Sequence, residues 1–252
     1  MIEFKNITFS YSKRPVLDGI DLSLSDGQLV ALIGENGSGK TTLLRLAVGE
    51  LKSDYGSILI DSLPINSYNK ATLSQKLSYF PQGRPTPDAL VPDTVALGRF
   101  PYSRSCIVTP KSDIAAAMDA LENLGISDLA SRRMSELSFG ERQKVYLAMQ
   151  ILQNTQNCLL DEPTNFLDTS ARFDMMRRLS KMRDEGRLIL CVIHDISLAM
   201  SFADRIVVLK DGKIVANASP EEIYSNRVIE DIFHVHIEKL THGDGKFYAV
   251  IP

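Results

Sequence analysis

The residues best suited to chemistry in this 252-residue chain begin with a glycine-rich segment, GENGSGKT, at residues 34–41. The segment fits the spacing G-x-x-x-x-G-K-[ST] and stands between an apolar stretch and a stretch with helical periodicity. In such a loop the backbone N–H groups wrap phosphate oxygens, the lysine reaches the β- and γ-phosphates, and the threonine hydroxyl can ligate Mg²⁺. The pattern therefore predicts a loop that binds ATP or GTP.

Two carboxylates and a histidine stand directly after apolar stretches further along the chain. Asp161 and Glu162 follow the residues CLL, and His194 closes the stretch LILCVIH. Ligands of parallel α/β sheets bind beyond the carboxyl ends of the strands, so we expect these three side chains at one edge of a sheet. One carboxylate suits the shell of a Mg²⁺ ion, the other suits a base that polarises an attacking water, and a neutral histidine could bond a γ-phosphate. The plainer alternatives are two solvated carboxylates in a turn and a structural histidine.

A second anion site is indicated by the segment SELSFGERQK at residues 135–144. Ser138 precedes a helical pattern, and Glu141 lies three positions after Ser138, which is the spacing of a capping box. Gly140 falls in the first turn, where free backbone N–H groups and the positive end of the helix dipole favour an anion. The sequence therefore predicts a second phosphate contact far along the chain from the glycine-rich loop.

Composition narrows the class of protein. Hydrophobic residues make up 44% and charged residues 23% of the chain, as in a globular domain, and the net charge of −3 argues against nucleic acid as a partner. Cys106, Cys158 and Cys191 are scattered, which predicts neither a disulfide framework nor a metal knuckle and is typical of the cytosol. The longest apolar run, residues 188–193, is too short to cross a membrane, and the N-terminus lacks a signal-peptide pattern. A role at a membrane would therefore need a partner.

The C-terminal segment carries the remaining histidines of the chain. His234 and His236 could face one side of a strand and bind a metal, but no third ligand is evident beside them. We therefore expect these two histidines to be surface residues.

Strand and helix patterns alternate along the chain. Alternating or buried-type strands are predicted at residues 2–11, 16–24, 28–34, 56–61, 77–82, 158–161, 187–194 and 205–215. Helices are predicted at residues 41–49, within 93–153, at 170–185 and at 196–203. A proline-rich segment over 83–93 is typical of a boundary. The order predicts one parallel α/β core that is interrupted by a helical insertion.

Taken together, these segments resemble the nucleotide-binding subunit of ATP-binding cassette (ABC) transporters over nearly the whole chain. The motifs of that family occur here in the family's order: the phosphate loop (34–42), Gln82 as the switch-loop glutamine, LSFGERQ (137–143), LLDEP (159–163), NFLD (165–168) and His194. The resemblance implies an α/β fold with a P-loop NTPase core of the ABC type and an antiparallel β region. It also implies a single domain over 1–252, with a helical subdomain over about 83–153 and a C-terminal extension over about 219–252.

The resemblance also implies a role for each site residue, with ATP and Mg²⁺ as cofactors. Glu162 activates the attacking water and His194 stabilises the γ-phosphate. Thr41 and Gln82 ligate Mg²⁺, and Asp161 holds its shell. The residues expected to bind nucleotide are Tyr11, which stacks on adenine, Gly34, Asn36, Gly37, Ser38, Gly39, Lys40, Thr41, Thr42, Gln82, Ser138, Gly140, Glu141 and Asp168.

Two cassettes of this family meet head to tail, which gives the second anion site a ligand. Ser138 and Gly140 of one cassette are expected to bind the γ-phosphate held by the loop of the other. Asp168 is expected to transmit the state of one site to the other across the interface between the cassettes. The working unit is therefore expected to be a homodimer or a pair with a paralogous cassette. The family core LSGGQ is LSFGE here, with Phe139 in place of a glycine, so the ring must point away from the phosphate.

Longer stretches are similar to cassettes of bacterial importers for iron-siderophore, haem or vitamin B12. These stretches cover residues 94–102, 127–145, 203–224 and the tail from Phe247. The resemblance implies an ATP-hydrolysing subunit at the cytoplasmic face of the inner membrane, docked through the helical region on a permease dimer and linked only indirectly to a substrate-binding protein. The alternatives are the same fold with another cargo or export direction, and a nucleotide-responsive binding module with weak turnover. An ATPase acting on nucleic acid is disfavoured by the net charge and by the absence of long coiled-coil insertions.

Overall fold

The structure is a computed structural model that describes residues 1–83, 86–103, 109–242 and 245–251, so Cys106 and residues 84–85 of the proline-rich segment lie outside it. The strands are β1 (Ile2–Phe9), β2 (Leu17–Leu24), β3 (Leu29–Ile33), β4 (Tyr55–Ile60), β5 (Leu63–Pro64), β6 (Leu77–Phe80), β7 (Asn157–Asp161), β8 (Leu188–Val192), β9 (Arg205–Lys210), β10 (Lys213–Ala218), β11 (His236–His242) and β12 (Gly245–Ile251). The α-helices are α1 (Lys40–Ala47), α2 (Lys70–Lys76), α3 (Val91–Ala96), α4 (Lys111–Asn123), α5 (Phe139–Gln153), α6 (Thr169–Asp184), α7 (Ile196–Phe202), α8 (Pro220–Ser225) and α9 (Val228–Phe233). Short 3₁₀ turns cover Ile65–Ser67, Leu97–Tyr102, Ser127–Leu129 and Met134–Glu136.

A largely parallel sheet forms the centre of the fold, with the strand order β10-β9-β3-β8-β7-β6. Strands β3, β7 and β8 are buried along their whole length, as expected for parallel strands that are covered on both faces. Successive residues of a strand point to opposite faces, so Leu29 and Ala31 of β3 join one core cluster while Val30 and Leu32 join the other. Because β8 pairs in parallel with both β3 and β7, the carboxyl ends of these three strands lie together at one edge of the sheet.

An antiparallel sheet, in the order β2-β1-β4-β5, packs over one face of the central sheet. Helix α1 shares that core, and helices α5, α6 and α7 contribute to the core on the opposite face. Helices α3, α4 and α5 contact one another and lie between β6 and β7 in the chain. The predicted α/β fold with an antiparallel β region and a helical insertion is therefore present, while the limits 83–153 and 219–252 stay predictions.

Several element boundaries differ from the sequence predictions. The strand predicted over 187–194 ends at Val192, so His194 lies two residues beyond it. The strand predicted over 205–215 is a hairpin, because Asp211 and Gly212 take positive φ angles of 49° and 74° and reverse the chain.

The C-terminal extension holds helices α8 and α9 and the hairpin of β11 with β12, none of which the sequence patterns resolved. His234 ends α9 in a left-handed conformation, so His234 and His236 do not share a strand, and both are exposed as predicted. Within the described ranges, no group of three or more His, Cys, Asp or Glu side chains is placed to hold a metal ion. Cys158 and Cys191 are buried free thiols. No described helix combines the length and the apolar character that a membrane crossing requires.

Candidate active site

The glycine-rich loop connects Ile33, at the end of β3, to Lys40, at the start of α1. Gly39 has a φ of 107°, and a Cβ atom there would lie 2.7 Å from Cδ2 of Leu17. Gly34 is even more confined, since a Cβ atom would lie 2.2 Å from the carbonyl oxygen of Leu209. Glycine at both positions is therefore required by the close approach of neighbouring backbone and side chains.

Two glycine substitutions in this loop should separate steric overlap from backbone strain. Gly37 has a φ of 81° with open space around it, whereas Gly39 combines positive φ with overlap. We expect Gly37→Ala to lower the free energy of unfolding by about 1 kcal/mol and Gly39→Ala by about 2–4 kcal/mol, measured by urea unfolding. Equal losses would show that Leu17 moves aside without cost.

Lys40 is buried, and its ammonium group is held by the loop itself. Its Nζ donates to the carbonyl oxygens of Gly34 at 2.9 Å and Glu35 at 2.8 Å. Burial lowers the pKa of Lys40, and the carboxylates of Glu162 and Asp161 oppose that shift. The hydroxyl oxygen of Ser38 is buried nearby without a hydrogen-bond partner among the described residues. Lys40 lines the cleft above the loop and offers a cation to a ligand, whereas Ser38 and Gly34, which were also predicted to bind nucleotide, do not line it.

Asp161, the last residue of β7, is 0% exposed, and neither of its carboxylate oxygens has a hydrogen-bond partner among the described residues. Burial raises its pKa, and the nearby Thr41 hydroxyl and Lys40 ammonium oppose the shift. Buried carboxylate oxygens without partners are costly and are usually paired or bound to metal. The position therefore fits a hard cation with oxygen ligands, such as Mg²⁺.

Glu162 is the centre of a polar cluster at the edge of the sheet. Its Oε2 accepts hydrogen bonds from Nε2 of Gln82 and Nδ2 of Asn165, and its Oε1 contacts Nε2 of His194. The side chain is 10% exposed, and Glu162 takes a positive φ of 54°, which turns the chain sharply after β7. Glu162, Gln82 and His194 were predicted from their motifs, and the structure brings them together. Asn165 was missed, although it opens the motif NFLD.

A cleft of about 910 Å³ opens over the loop and this cluster. Tyr11 stands at its rim, 58% exposed, with its hydroxyl 3.5 Å from Oγ1 of Thr42. The predicted residues that line the cleft are Tyr11, Asn36, Gly37, Gly39, Lys40, Thr41, Thr42, Gln82, Glu162 and His194. The lining residues that the sequence analysis missed are Val16, Asn165, Phe166 and Arg172.

Ser138, Gly140, Glu141 and Asp168 do not line this cleft. The predicted capping box is confirmed: the Ser138 amide donates to Oε2 of Glu141 at 2.8 Å, the Glu141 amide donates to Oγ of Ser138 at 3.3 Å, and these bonds lower the pKa of Glu141. Asp168 caps α6 by accepting from the Ala171 amide at 2.8 Å, which lowers its pKa. A Cβ atom at Gly140 would meet only Cδ2 of Leu167, at an ordinary 3.5 Å. The described part of the chain therefore gives no steric reason for glycine at 140, which suits close approach by a group from outside.

Phe139 presents an aromatic ring at the start of α5. The ring packs edge-to-face on Phe166, with 5.1 Å between centroids and an interplanar angle of 75°. Phe166 is 77% exposed and has a positive φ of 59°. The ring of Phe139 is thus turned toward the NFLD segment of its own chain.

A family model described as ABC transporter matches residues 17–165. The chain belongs to the ABC transporter family. It is an ATP-binding cassette, the ATPase of that family. Three curated relatives are the petrobactin import ATP-binding protein FpuD of Bacillus anthracis, the ferric enterobactin transport ATP-binding protein FepC of Escherichia coli (strain K12) and the hemin import ATP-binding protein HmuV of Thermobifida fusca (strain YX).

These three relatives are similar over almost the entire cassette. FpuD is 34% identical over 94% of this chain and 88% of its own length, FepC 34% over 91% and 85%, and HmuV 31% over 98% and 87%. Two solved structures agree with the fold. A metal-chelate type ABC transporter in an inward-facing conformation has a TM-score of 0.85 at 24% identity, covering 100% of this chain and 96% of that one. A dimeric cassette bound to ADP and Pi after hydrolysis has a TM-score of 0.78 at 26% identity, covering 87% and 99%.

Proposed function

We propose that this cassette hydrolyses ATP to drive uptake of an iron chelate, either a siderophore or haem, or of cobalamin through a partner permease. The proposed hydrolysis of ATP is supported by the cluster of Gln82, Asn165 and His194 around Glu162, beside the phosphate loop. The proposed transported substrate is supported by the siderophore and haem import roles in the names of the relatives.

The chain's own groups account for most of the chemistry, because phosphoryl transfer depends mainly on positioning and electrostatic stabilisation. Lys40 exchanges its loop carbonyls for phosphate oxygens. Glu162 accepts a hydrogen bond from the attacking water and orients it, and His194 stabilises the γ-phosphate as charge shifts. Thr41, Gln82 and Asp161 would hold Mg²⁺, which when bound neutralises charge on the phosphate oxygens.

The second anion site belongs, in this proposal, to the ATP of a second cassette. Ser138, Gly140 and Glu141 form a helix start outside the cleft of their own chain, and Asp168 caps the neighbouring helix α6. The lack of a steric reason for glycine at 140 within the described chain supports a γ-phosphate arriving from outside. Two copies of this chain meeting head to tail satisfy the arrangement, as does a paralogous partner.

The helical region supplies the contact with the permease, on the cytoplasmic face of the cell membrane. Leu90, Leu97, Phe100 and Tyr102 are large apolar or aromatic side chains that stay exposed on this region. Exposed large apolar side chains that group together on a surface are typical of a protein contact, and these four lie within thirteen residues of the chain. The substrate-binding protein then acts on the cassette only through the permease.

The cargo assignment is tested by uptake in cells whose chromosomal copy carries Glu162→Gln. We expect uptake of at least one of three supplied compounds, a ferric siderophore, haemin or cyanocobalamin, to fall to background, while uptake of an unrelated amino acid stays at wild-type level. Unchanged uptake of all three compounds would contradict the cargo proposal but not the ATPase activity.

Phe139 decides between an active enzyme and a binding module with weak turnover. Because its ring packs on Phe166 in the same chain, we expect the site to work as it stands. Phe139→Gly should change kcat for ATP hydrolysis by less than about threefold, the scale of an exposed substitution. The alternative is supported if the unmodified protein dimerises with ATP without turnover and Phe139→Gly restores hydrolysis.

A further inference from the structure

Arg172, in the first turn of α6, connects the two segments that follow the neighbouring strands β7 and β8. Its Nε donates to the carbonyl oxygen of Leu167 at 2.9 Å. Its Nη1 lies 3.8 Å from Oδ2 of Asp195. The planar guanidinium group can satisfy both partners at once because its donors point in fixed, different directions.

Each of these two segments carries a group that holds Glu162. Leu167 lies two residues after Asn165, which donates from Nδ2 to Glu162 and from its amide to the Glu162 carbonyl oxygen at 3.2 Å. Asp195 directly follows His194, whose Nε2 contacts Glu162. The other carboxylate oxygen of Asp195, Oδ1, accepts a hydrogen bond from the Leu198 amide and so caps α7. Arg172 therefore links the two segments whose side chains, Asn165 and His194, contact the Glu162 carboxylate.

We propose that Arg172 is a positioning residue for Glu162. It keeps the segments of Asn165 and His194 in register, so that both donors reach the carboxylate in the geometry needed to orient water. This inference rests on the proposed role of Glu162 as the residue that activates water. It assigns a task to an arginine that none of the sequence motifs includes.

A role in stability alone fits Arg172 poorly. The side chains of Arg172 and Asp195 are 40% and 37% exposed, and exposed ion pairs contribute little to stability. Arg177 offers a matched control, because it lies on the same helix and forms an exposed pair with Asp174 at 3.0 Å. If only the exposed ion pairs mattered, the two arginines would be equivalent, whereas a positioning role makes only Arg172 matter for turnover.

The test compares ATP hydrolysis by wild type, Arg172→Ala, Arg172→Lys and Arg177→Ala. We expect Arg172→Ala to lower kcat roughly tenfold, the scale of residues that couple two structural segments, with the KM for ATP unchanged within about twofold. Arg172→Lys keeps the charge but not the two-directional donors, so it should recover little of the loss. Arg177→Ala should behave as wild type. In the background of Asn165→Ala, Arg172→Ala should lose part of its effect, because one of the two contacts to Glu162 that it positions is already absent.

Three results would overturn the inference: equal kcat values for the two arginine variants, a rise in KM without a fall in kcat, or an undiminished effect of Arg172→Ala beside Asn165→Ala. Glu162→Gln is measured in parallel to separate the two proposals. If Glu162→Gln still hydrolyses ATP, the proposed role of Glu162 fails and this inference fails with it. If Glu162→Gln is inactive and Arg172→Ala is fully active, only the role of Arg172 is lost. Thermal unfolding of all variants identifies any that fail to fold, and Arg172→Lys keeps the test decisive in that case.

Discussion

Glu162→Gln should lower kcat for ATP hydrolysis by a factor of about 10²–10⁴, the usual contribution of a positioned general base. The carboxylate accepts from Gln82, Asn165 and His194, so it is held in place and ready to accept from water as well. Glutamine keeps the shape but replaces one acceptor oxygen with a donor NH₂ group. We expect the variant to bind ATP and to accumulate as an ATP-bound dimer, seen by light scattering beside a phosphate-release assay.

Glu122→Gln serves as the control, because Glu122 is an exposed glutamate on α4 and does not line the cleft. It should hydrolyse ATP at the wild-type rate and return to monomer as ATP is consumed. Residual hydrolysis above one tenth of wild type in Glu162→Gln would mean that another group activates the water. A variant that neither hydrolyses ATP nor dimerises would place the defect in binding instead.

Asp161→Asn should have opposite effects on the free protein and on its response to ligand. Without nucleotide, the variant should be more stable by about 1–3 kcal/mol, because it replaces a buried carboxylate, whose oxygens have no hydrogen-bond partner among the described residues, with a neutral amide. With ATP and Mg²⁺, the rise in melting temperature seen for the wild type should largely disappear, because the proposed cation ligand is gone. Differential scanning calorimetry with ATP, in the presence of Mg²⁺ or EDTA, measures both effects.

The pH dependence of this stability difference follows from the direction of the pKa shift. Burial raises the pKa of Asp161 in the folded protein, so the folded state takes up the proton at a higher pH than the unfolded state does. The advantage of Asp161→Asn should be full above the raised pKa and should vanish as the pH falls to about 4, the ordinary pKa of aspartate. Asp119→Asn, at an exposed position on α4, should show no such dependence. A stability difference that grows as the pH falls would contradict the argument.

The sequence predicted the parts of this site that lie next to one another in the chain. The loop from Gly34 to Lys40 has fixed spacing, and Asp161 ends a strand whose burial is visible as a short apolar run. The capping box of Ser138 and Glu141 is likewise a local pattern, and the structure confirms it. In each case a backbone conformation of a few residues determines which side chains are needed, so spacing alone is informative.

The contacts that could not be predicted join residues that are distant in sequence. Arg172 meets Asp195 only because α6 and the end of β8 lie side by side. The packing of Phe139 on Phe166 is of the same kind. The C-terminal hairpin was missed because its two strands mix polar and apolar residues without clear alternation. Its fold depends on packing against α7, where the amides of Tyr248 and Val250 donate to serine hydroxyls.

The hydrogen bonds of Lys40 have a consequence for the binding of ATP. The carbonyl oxygens of Gly34 and Glu35 already occupy the positions around the ammonium group that phosphate oxygens would take. In the proposed mechanism, ATP binding replaces these carbonyl oxygens with phosphate oxygens on a loop that is already folded, so little chain entropy is lost. In the same mechanism, product release returns the ammonium group to the carbonyl oxygens of Gly34 and Glu35, so the empty loop needs no refolding before it binds the next nucleotide.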